Sequence, residues 1–232
     1  MSEFEGGLWL KFTVLSDAAF GRGDGVAGLV DTEILHDPYG LPYLGGKTLK
    51  GLLAAECGEI MYALKQAGHL QMAEWEEAAR FLFGRPGSKA DKIGRMIVGN
   101  AQLPEDLRAL IQADFRLLNE QEKGKRQRVN LESLTTLRRQ TAVDAQSGAS
   151  KDNTLRTTRV IVRGTTFTAR LDFTEPVSER ACWLLAACVQ AFHRAGTNRN
   201  RGYGRLQAAL YADPLSGEPV AWFDDFTKEA LA

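Results

Sequence analysis

The order of apolar and polar positions along the chain predicts two strand–helix–strand units. Residues 8–14 and residues 167–173 alternate between apolar and polar types, which is typical of strands with one buried face. Further strands are predicted over 94–99, 156–163 and 206–211, and helices over 48–67, 72–83, 104–120 and from Pro176 to about residue 193. Two such units in succession predict an α+β, ferredoxin-like (RRM-related) βαββαβ core.

A long polar segment lies between the two units. It is longer than a simple connection needs, and loops of this length in compact domains are usually functional or disordered. We therefore interpret the chain, 1–232, as one domain with a core of about 8–120 and 156–212, a basic insertion of about 121–165 and a C-terminal tail at 213–232. Trp222, Phe223 and Phe226 in the tail pack either on the core or on a neighbouring subunit.

The charged residues are distributed unevenly, although the formal net charge is zero. Residues 123–163 contain ten Lys or Arg and three acids, and residues 194–205 contain four arginines and no acid. The rest of the chain holds 15 basic and 26 acidic residues. An acidic body with two basic segments indicates a polyanionic partner such as a nucleic acid.

Composition narrows the class of protein further. The chain is 44% hydrophobic, enough for a buried core, and its three cysteines form no CxxC pair, so no disulfide framework or zinc site is predicted. No apolar run is long enough to cross a bilayer, and the N-terminus lacks a signal-peptide pattern. We expect a cytoplasmic protein with no membrane partner, no metal site and no cofactor.

Two glycine-containing stretches have the chemistry of phosphate binding. Residues 45–51 (GGKTLKG) open a predicted helix, and helix N-termini bind phosphate through unpaired backbone N–H groups. This is not a Walker A motif, because no glycine lies five residues before Gly46. Residues 195–205 (AGTNRNRGYGR), the Gly-Arg loop, add arginine forks for phosphate and one tyrosine that either stacks on a base or fills the turn.

Three stretches together resemble the RAMP superfamily of CRISPR proteins. They are 31–43 (DTEILHDPYGLPY) running into the 47–51 loop, 201–205 (RGYGR), and 137–144 (LRRQTAVD) continuing through 147–149 and Lys151 to 155–160 (LRTTRV). The chain looks most like the type III-D subunit that caps the 5′ handle of the crRNA. This resemblance implies binding to crRNA, packing against other RAMP subunits, possibly a large signature or nuclease subunit, and only indirect contact with target RNA.

The resemblance also implies roles for particular segments. The Gly-Arg loop would lie along the RNA backbone, and the basic insertion would form a thumb-like hairpin. The predicted RNA-binding residues are Gly46, Lys47, Lys50, Arg138, Arg139, Arg156, Arg159, Arg199, Arg201, Gly202, Tyr203, Gly204 and Arg205.

Three functions stay open at this point. Besides a non-catalytic cap, the chain resembles the repeating backbone RAMP subunits that cleave target RNA, because Asp31 matches their catalytic aspartate. Only in that case would a divalent metal such as Mg²⁺ be required. A stand-alone crRNA-processing endoribonuclease is the third possibility, with His36 and His193 as candidates. The alternative for Asp31 is an acid that caps a turn-rich loop.

Overall fold

The computed structural model describes residues 3–23, 25, 30–85, 93–141 and 155–230. Its strands are β1 (Glu3–Phe4), β2 (Leu8–Val14), β3 (Met96–Val98), β4 (Thr135–Gln140), β5 (Arg156–Ile161), β6 (Thr166–Phe173), β7 (Val177–Ser178) and β8 (Leu206–Tyr211). Its helices are α1 (Gly46–Gln66), α2 (Met72–Phe83), α3 (Glu105–Arg116), α4 (Glu120–Leu134), α5 (Glu179–Ala191) and α6 (Trp222–Ala230), with a short 3-10 turn at Arg199–Arg201. The predicted α+β class is confirmed. None of the described helices combines the length and apolar character needed to span a membrane.

A four-stranded antiparallel sheet with the strand order β3-β6-β2-β8 organises the fold. Leu8, Leu10, Phe12 and Val14 of β2 are fully buried, while the residues between them are only partly covered. Helices α1 and α5 pack together and contribute to the same hydrophobic cluster as the buried face of the sheet. The alternation in the sequence therefore indicates that one face of the sheet is packed, and that the other face carries no packed layer within the described residues.

The start of α1 differs from the prediction by two residues. The helix begins at Gly46 rather than Thr48, with Gly45 in an extended conformation as the N-cap. Glycine at the N-cap has no side chain to accept a helix N–H. The Gly46 N–H instead donates to Asn100 Oδ1 at 2.8 Å. A Cβ at Gly46 would overlap the Val98 carbonyl oxygen, so this glycine allows the helix to approach β3.

The polar segment after α3 contains a helix that the sequence pattern does not predict. Helix α4 has a single buried side chain, Leu131, so its apolar periodicity is too weak to detect. A capping box stabilises its start: Glu122 N–H donates to Asn119 Oδ1 at 3.0 Å, and Asn119 N–H donates to Glu122 Oε2 at 2.9 Å. Residues 120–134 of the segment described as an insertion are therefore helical.

The described part of the insertion contains a pair of strands, which we call the hairpin. Strands β4 and β5 pair antiparallel, with Thr135 opposite Ile161 and Gln140 opposite Arg156. The part of the resemblance that includes Asp144, 147–149 and Lys151 lies outside the described residues.

A buried ion pair holds this hairpin to the body of the protein. Arg159 Nε lies 3.0 Å from Glu33 Oε1 and 3.1 Å from Glu33 Oε2, and the two residues are only 7% and 3% exposed. Arg159 also donates to Thr135 Oγ1 at 3.2 Å, and the Ile34 N–H donates to Glu33 Oε1 at 2.9 Å. The charges are therefore paired and hydrogen-bonded, which is the condition for burying them.

The turn at residues 37–42 attaches α4 to the core. Asp37 Oδ1 accepts the N–H groups of Tyr39 and Leu41, each at 2.9 Å. The Tyr39 carbonyl accepts from Asn130 of α4 at 2.9 Å, and its ring packs edge-on against Phe115 with centroids 5.0 Å apart. This part of the RAMP-like motif is thus structural.

The C-terminal tail forms a helix, α6, that packs against α5. The Trp222 ring lies 5.3 Å from Phe4 and the Phe226 ring lies 5.3 Å from Trp75, so both pack on the core. Phe223 remains 38% exposed.

We predict that Arg159→Leu lowers the free energy of unfolding by about 3–5 kcal/mol, because it leaves Glu33 charged and buried without a partner. Urea unfolding followed by circular dichroism measures this. The control is Arg138→Leu, whose pair with Asp17 is half exposed and should contribute only about 0–1 kcal/mol. Equal losses from the two variants would contradict a special role for the buried pair.

Candidate nucleic-acid interface

The Gly-Arg loop follows α5 and is closely packed on the segment after β2. Gly204 N–H donates to the Asp17 carbonyl at 2.8 Å, and Thr197 N–H donates to the Ala19 carbonyl at 2.9 Å. Gly204 has φ +69°, and a Cβ there would overlap the Ala195 carbonyl oxygen. Gly202 has φ +85° but faces open space. Gly204 therefore serves close packing, and Gly202 serves backbone conformation.

Two contacts join this loop to the hairpin. Arg138 NH2 lies 2.6 Å from Asp17 Oδ2, and Asp17 is the residue whose carbonyl binds Gly204. Gln140 Nε2 donates to Tyr203 Oη at 2.9 Å, and the Tyr203 ring is partly buried against the core. Tyr203 thus fixes the position of the loop against β4, which favours the turn-filling alternative over base stacking for this ring.

These contacts assemble one surface from two segments that are distant in sequence. We call it the arginine surface: Arg138, Arg156, Arg199, Arg201 and Arg205, all of them exposed. Arg138 pairs with Thr158, and Gln140 pairs with Arg156. Paired residues, and residues two apart in a strand, lie on the same face, so Arg138 and Arg156 share one face of the hairpin. Arg156, Arg201 and Arg205 have no ion pair with any residue in the described part of the chain. Guanidinium groups placed in this way are suited to phosphate oxygens.

Four other predicted contacts lie away from this surface. Arg139 is exposed on the opposite face of the hairpin, by strand alternation. Gly46 and Lys50 are engaged next to β3, the sheet edge opposite to β8, where Lys50 Nζ donates to the Met96 carbonyl at 2.6 Å. Lys47 is exposed in the same helical turn. The start of α1 and the Gly-Arg loop therefore lie at different edges of the sheet.

The structure contradicts the role predicted for Arg159. It was predicted to bind RNA, but its guanidinium is buried against Glu33 and Thr135, so it has no free face for a phosphate. Its role in this structure is to anchor β5.

Burial changes the ionisation of two groups near these sites. Partial burial lowers the pKa of Lys50, consistent with its use as an internal donor rather than a solvated charge. Burial raises the pKa of Glu56 on α1 above its usual value, and the nearby charges of His193 and Arg199 offset this rise only in part. Glu56 is therefore close enough to the Gly-Arg loop to influence the arginine surface electrostatically.

Asp31 lies at the base of the hairpin with an exposed side chain. Its Oδ2 accepts the Thr157 N–H at 2.5 Å, and its own N–H donates to the Thr157 carbonyl at 2.8 Å. The next residue, Thr32, forms a parallel bridge with Thr158. The carboxylate thus caps a backbone group of β5 and keeps a second oxygen for another partner.

The remaining catalytic candidates are His36 and His193. His36 Nδ1 lies 3.1 Å from the Asp37 carbonyl within its own turn. His193 is exposed and, with Arg194 and Arg205, lines a groove of about 510 Å³ between the end of α5 and the start of β8. Within the described ranges, no three His, Cys, Asp or Glu residues are grouped so that they could hold a metal ion.

The comparison with protein families matches this chain over residues 11–207 to the model described as the RAMP superfamily. The chain belongs to the RAMP superfamily. The resemblance noted in the sequence is thereby confirmed at the level of the superfamily, while the type III-D capping subtype stays a prediction. A comparison with curated protein sequences finds no match.

Solved structures support the RAMP fold. A chain in the cryo-EM structure of type III-B Cmr-beta bound to cognate target RNA is 11% identical, with a TM-score of 0.63 covering 91% of this chain and 99% of that one. A chain in the apo state of type III-B Cmr-beta is 12% identical, with a TM-score of 0.60 covering 90% and 98%. At such identities the likeness concerns the fold.

The sequence analysis missed several residues that build the site of this RAMP protein. Arg194 braces the Gly-Arg loop by donating to the Arg199 carbonyl at 2.6 Å. Asp17 joins loop and hairpin, and Glu33 is 126 residues from its partner Arg159. The charge count included Arg194, but no local pattern identifies Asp17 or Glu33 as partners of distant arginines.

We predict that Gly204→Ala destabilises the RAMP domain much more than Gly202→Ala. Both substitutions force an alanine into the left-handed region, at about 1–2 kcal/mol. Only the first adds a clash with the Ala195 backbone, so its melting temperature should fall further. Differential scanning fluorimetry of the two variants tests this, and equal shifts would show that the loop is not closely packed.

Proposed function

We propose that this RAMP protein binds the guide RNA of a CRISPR ribonucleoprotein effector complex, as the subunit that caps the 5′ handle of the crRNA. The observation that carries the proposal is the arginine surface, which the Gly-Arg loop and the hairpin form together. Five exposed guanidinium groups on one surface of a protein with zero formal net charge supply a localised site for an RNA backbone.

The proposal includes a ferredoxin-like, RRM-related core. The strand order β3-β6-β2-β8 places the second, third, first and fourth core strands side by side, all antiparallel. Helix α1 lies between the first two core strands in the chain, and α5 lies between the last two. This connectivity supports the proposal, because a ferredoxin-like core has the same order of split βαβ units.

The arrangement favours binding along a backbone over base-specific recognition. Arginines that contact phosphates fix the register of an RNA but carry no sequence information. Backbone contacts hold an RNA whatever its sequence, which suits a subunit that must bind many different guides. The proposed partners are crRNA, other RAMP subunits and possibly a large signature or nuclease subunit in the cytoplasm, with target RNA contacted indirectly.

We expect Arg199→Ala/Arg201→Ala to weaken binding of single-stranded RNA regardless of sequence. Each lost phosphate contact lowers the slope of log K against log salt concentration by about 0.7, so the double variant should lower it by about 1.4. Fluorescence anisotropy with a labelled oligouridylate at several salt concentrations gives both the affinity and the slope.

The matched control for this measurement is Lys65→Ala/Arg116→Ala, which removes two positive charges near the ends of α1 and α3. If the arginine surface binds the backbone, the control keeps the slope of the unmodified protein. The proposal fails if both double variants change the slope equally, because the effect would then reflect net charge alone.

A second candidate function rests on Asp31. Its exposed carboxylate at the base of the hairpin has an oxygen that the Thr157 N–H does not use, and could hold a divalent ion or orient a ribose hydroxyl. In that case the chain would be a repeating backbone subunit that cleaves target RNA. Copy number separates the two roles, since a cap occurs once in each complex and a backbone subunit several times.

Asp31→Asn tests cleavage without removing the acceptor of the Thr157 N–H. If Asp31 is catalytic, the purified complex should lose target-RNA cleavage by at least about a hundredfold while its crRNA content stays constant. Under the capping proposal the variant cleaves as the unmodified complex does. Glu33→Gln is not a substitute control, because Glu33 is buried with Arg159.

A further inference from the structure

The second face of the four-stranded sheet carries no packed layer within the described structure. Along β2, β6 and β8 the side chains on this face are partly or fully exposed, whereas those on the other face are buried. The members of the exposed set are Trp9, Lys11, Thr13, Thr166, Thr168, Arg170, Asp172, Gln207, Ala209 and Tyr211. We call this set the open sheet face.

Two aromatic rings lie side by side at one end of this face. Trp9 of β2 is directly opposite Tyr211 of β8 and directly opposite Arg170 of β6. Neighbouring strands are about 4.8 Å apart, so the two rings occupy adjacent positions on the surface. A large ring that remains partly exposed at such a position offers its apolar surface to a partner.

Each ring has a cation beside it. Lys11 Nζ lies 5.3 Å from the centroid of the Tyr211 ring, and Arg170 Cζ lies 6.0 Å from that of Trp9. The only acid in the set is Asp172, whose Oδ1 accepts from Arg170 Nε at 2.7 Å. The face therefore combines aromatic surface with an excess of positive charge, and its remaining members are mainly small and polar.

The open sheet face is continuous with the arginine surface. Arg205 directly precedes β8 and, by strand alternation, points to the same side as Gln207, Ala209 and Tyr211. Leu15 N–H donates to the Arg205 carbonyl at 2.7 Å, so the pairing of β2 with β8 extends to this residue. The row from Arg205 to Tyr211 spans about 20 Å along the strand, a length that accommodates a few nucleotides.

We propose that the open sheet face binds a single-stranded RNA segment that continues from the arginine surface, with bases stacked on Trp9 and Tyr211. Lys11, Arg170 and Arg205 contact the phosphates of this segment. The proposal rests on the guide-binding function above and deepens it, because it adds base stacking to backbone contact and extends the path of the RNA across the sheet.

The chemistry of the face favours RNA over a protein partner. Stacking on exposed aromatic rings beside cations is the usual way in which proteins hold single strands without reading their sequence. A protein interface of this size would be expected to present an apolar centre, whereas seven of the ten residues in this set are polar or charged.

The first test compares two double variants in oligouridylate binding at constant salt. Trp9→Leu/Tyr211→Leu should weaken binding about tenfold or more, because each lost stacking ring reduces affinity severalfold or more. Repeating the titration at several salt concentrations should give an unchanged salt slope, because all phosphate-binding cations remain. The control, Tyr62→Leu/Phe223→Leu, removes two exposed rings from α1 and α6 and should bind normally. Melting temperatures of both variants show whether they are folded.

The second test is crosslinking of the unmodified protein to an oligouridylate that contains 4-thiouridine, followed by peptide mapping. Crosslinks at Trp9 or Tyr211 support the proposal. Crosslinks confined to the Gly-Arg loop and the hairpin would overturn it and leave the guide-binding function standing. Absence of any crosslink would contradict both. In the assembled complex, coverage of Trp9 and Tyr211 by another protein chain would overturn the RNA path in favour of a subunit interface.

Discussion

The buried pair of Arg159 and Glu33 is the interaction on which the position of the hairpin depends. It joins β5 to Glu33 in the segment between β2 and α1, across 126 residues of sequence, and both side chains are buried. Removal of either charge leaves the other buried and unpaired, which destabilises this attachment. Backbone hydrogen bonds from β5 to Ala18, Asp31 and Thr32 support the same position, in which Arg138 and Arg156 reach the arginine surface. Arg159 thus stabilises the hairpin, while Arg138 and Arg156 on the same hairpin remain exposed for binding.

The same division of roles applies to the glycine-containing motifs. Gly46 allows α1 to approach β3, and Gly204 allows the Gly-Arg loop to pack against Ala195, so both act through close contact with backbone. The N–H groups of Gly46 and Gly204 each donate a hydrogen bond within the protein, so neither is free to bind a phosphate. Arg199 and Arg201, which lie between Gly196 and Gly204, are exposed. The motif is therefore better described as a support for guanidinium groups than as a phosphate cradle.

An element can be predicted from the sequence when its own side chains form the core, and cannot when it depends on partners that are distant in sequence. Strand β2 and helix α2 follow from periodicity, because their own side chains form the core. Helix α4 is missed because only Leu131 is buried, and its stability comes from the capping box of Asn119 and Glu122. Basic residues cannot be sorted into buried and exposed from sequence alone, since Arg159 differs from Arg156 only in having a partner 126 residues away. The pairing of Trp9 with Tyr211 likewise requires the strand order.

The central claim is that this RAMP protein holds a guide RNA, and the most direct test is the RNA that it carries. The chain would be co-expressed with its neighbouring genes and a CRISPR array, purified through a tag on this chain, and the bound RNA sequenced and quantified against the protein. The account predicts strong enrichment of crRNA with a common 5′ handle and a single copy of this chain for each guide. Several copies for each guide would replace the capping role by the backbone role. Recovery of no specific RNA would contradict the account.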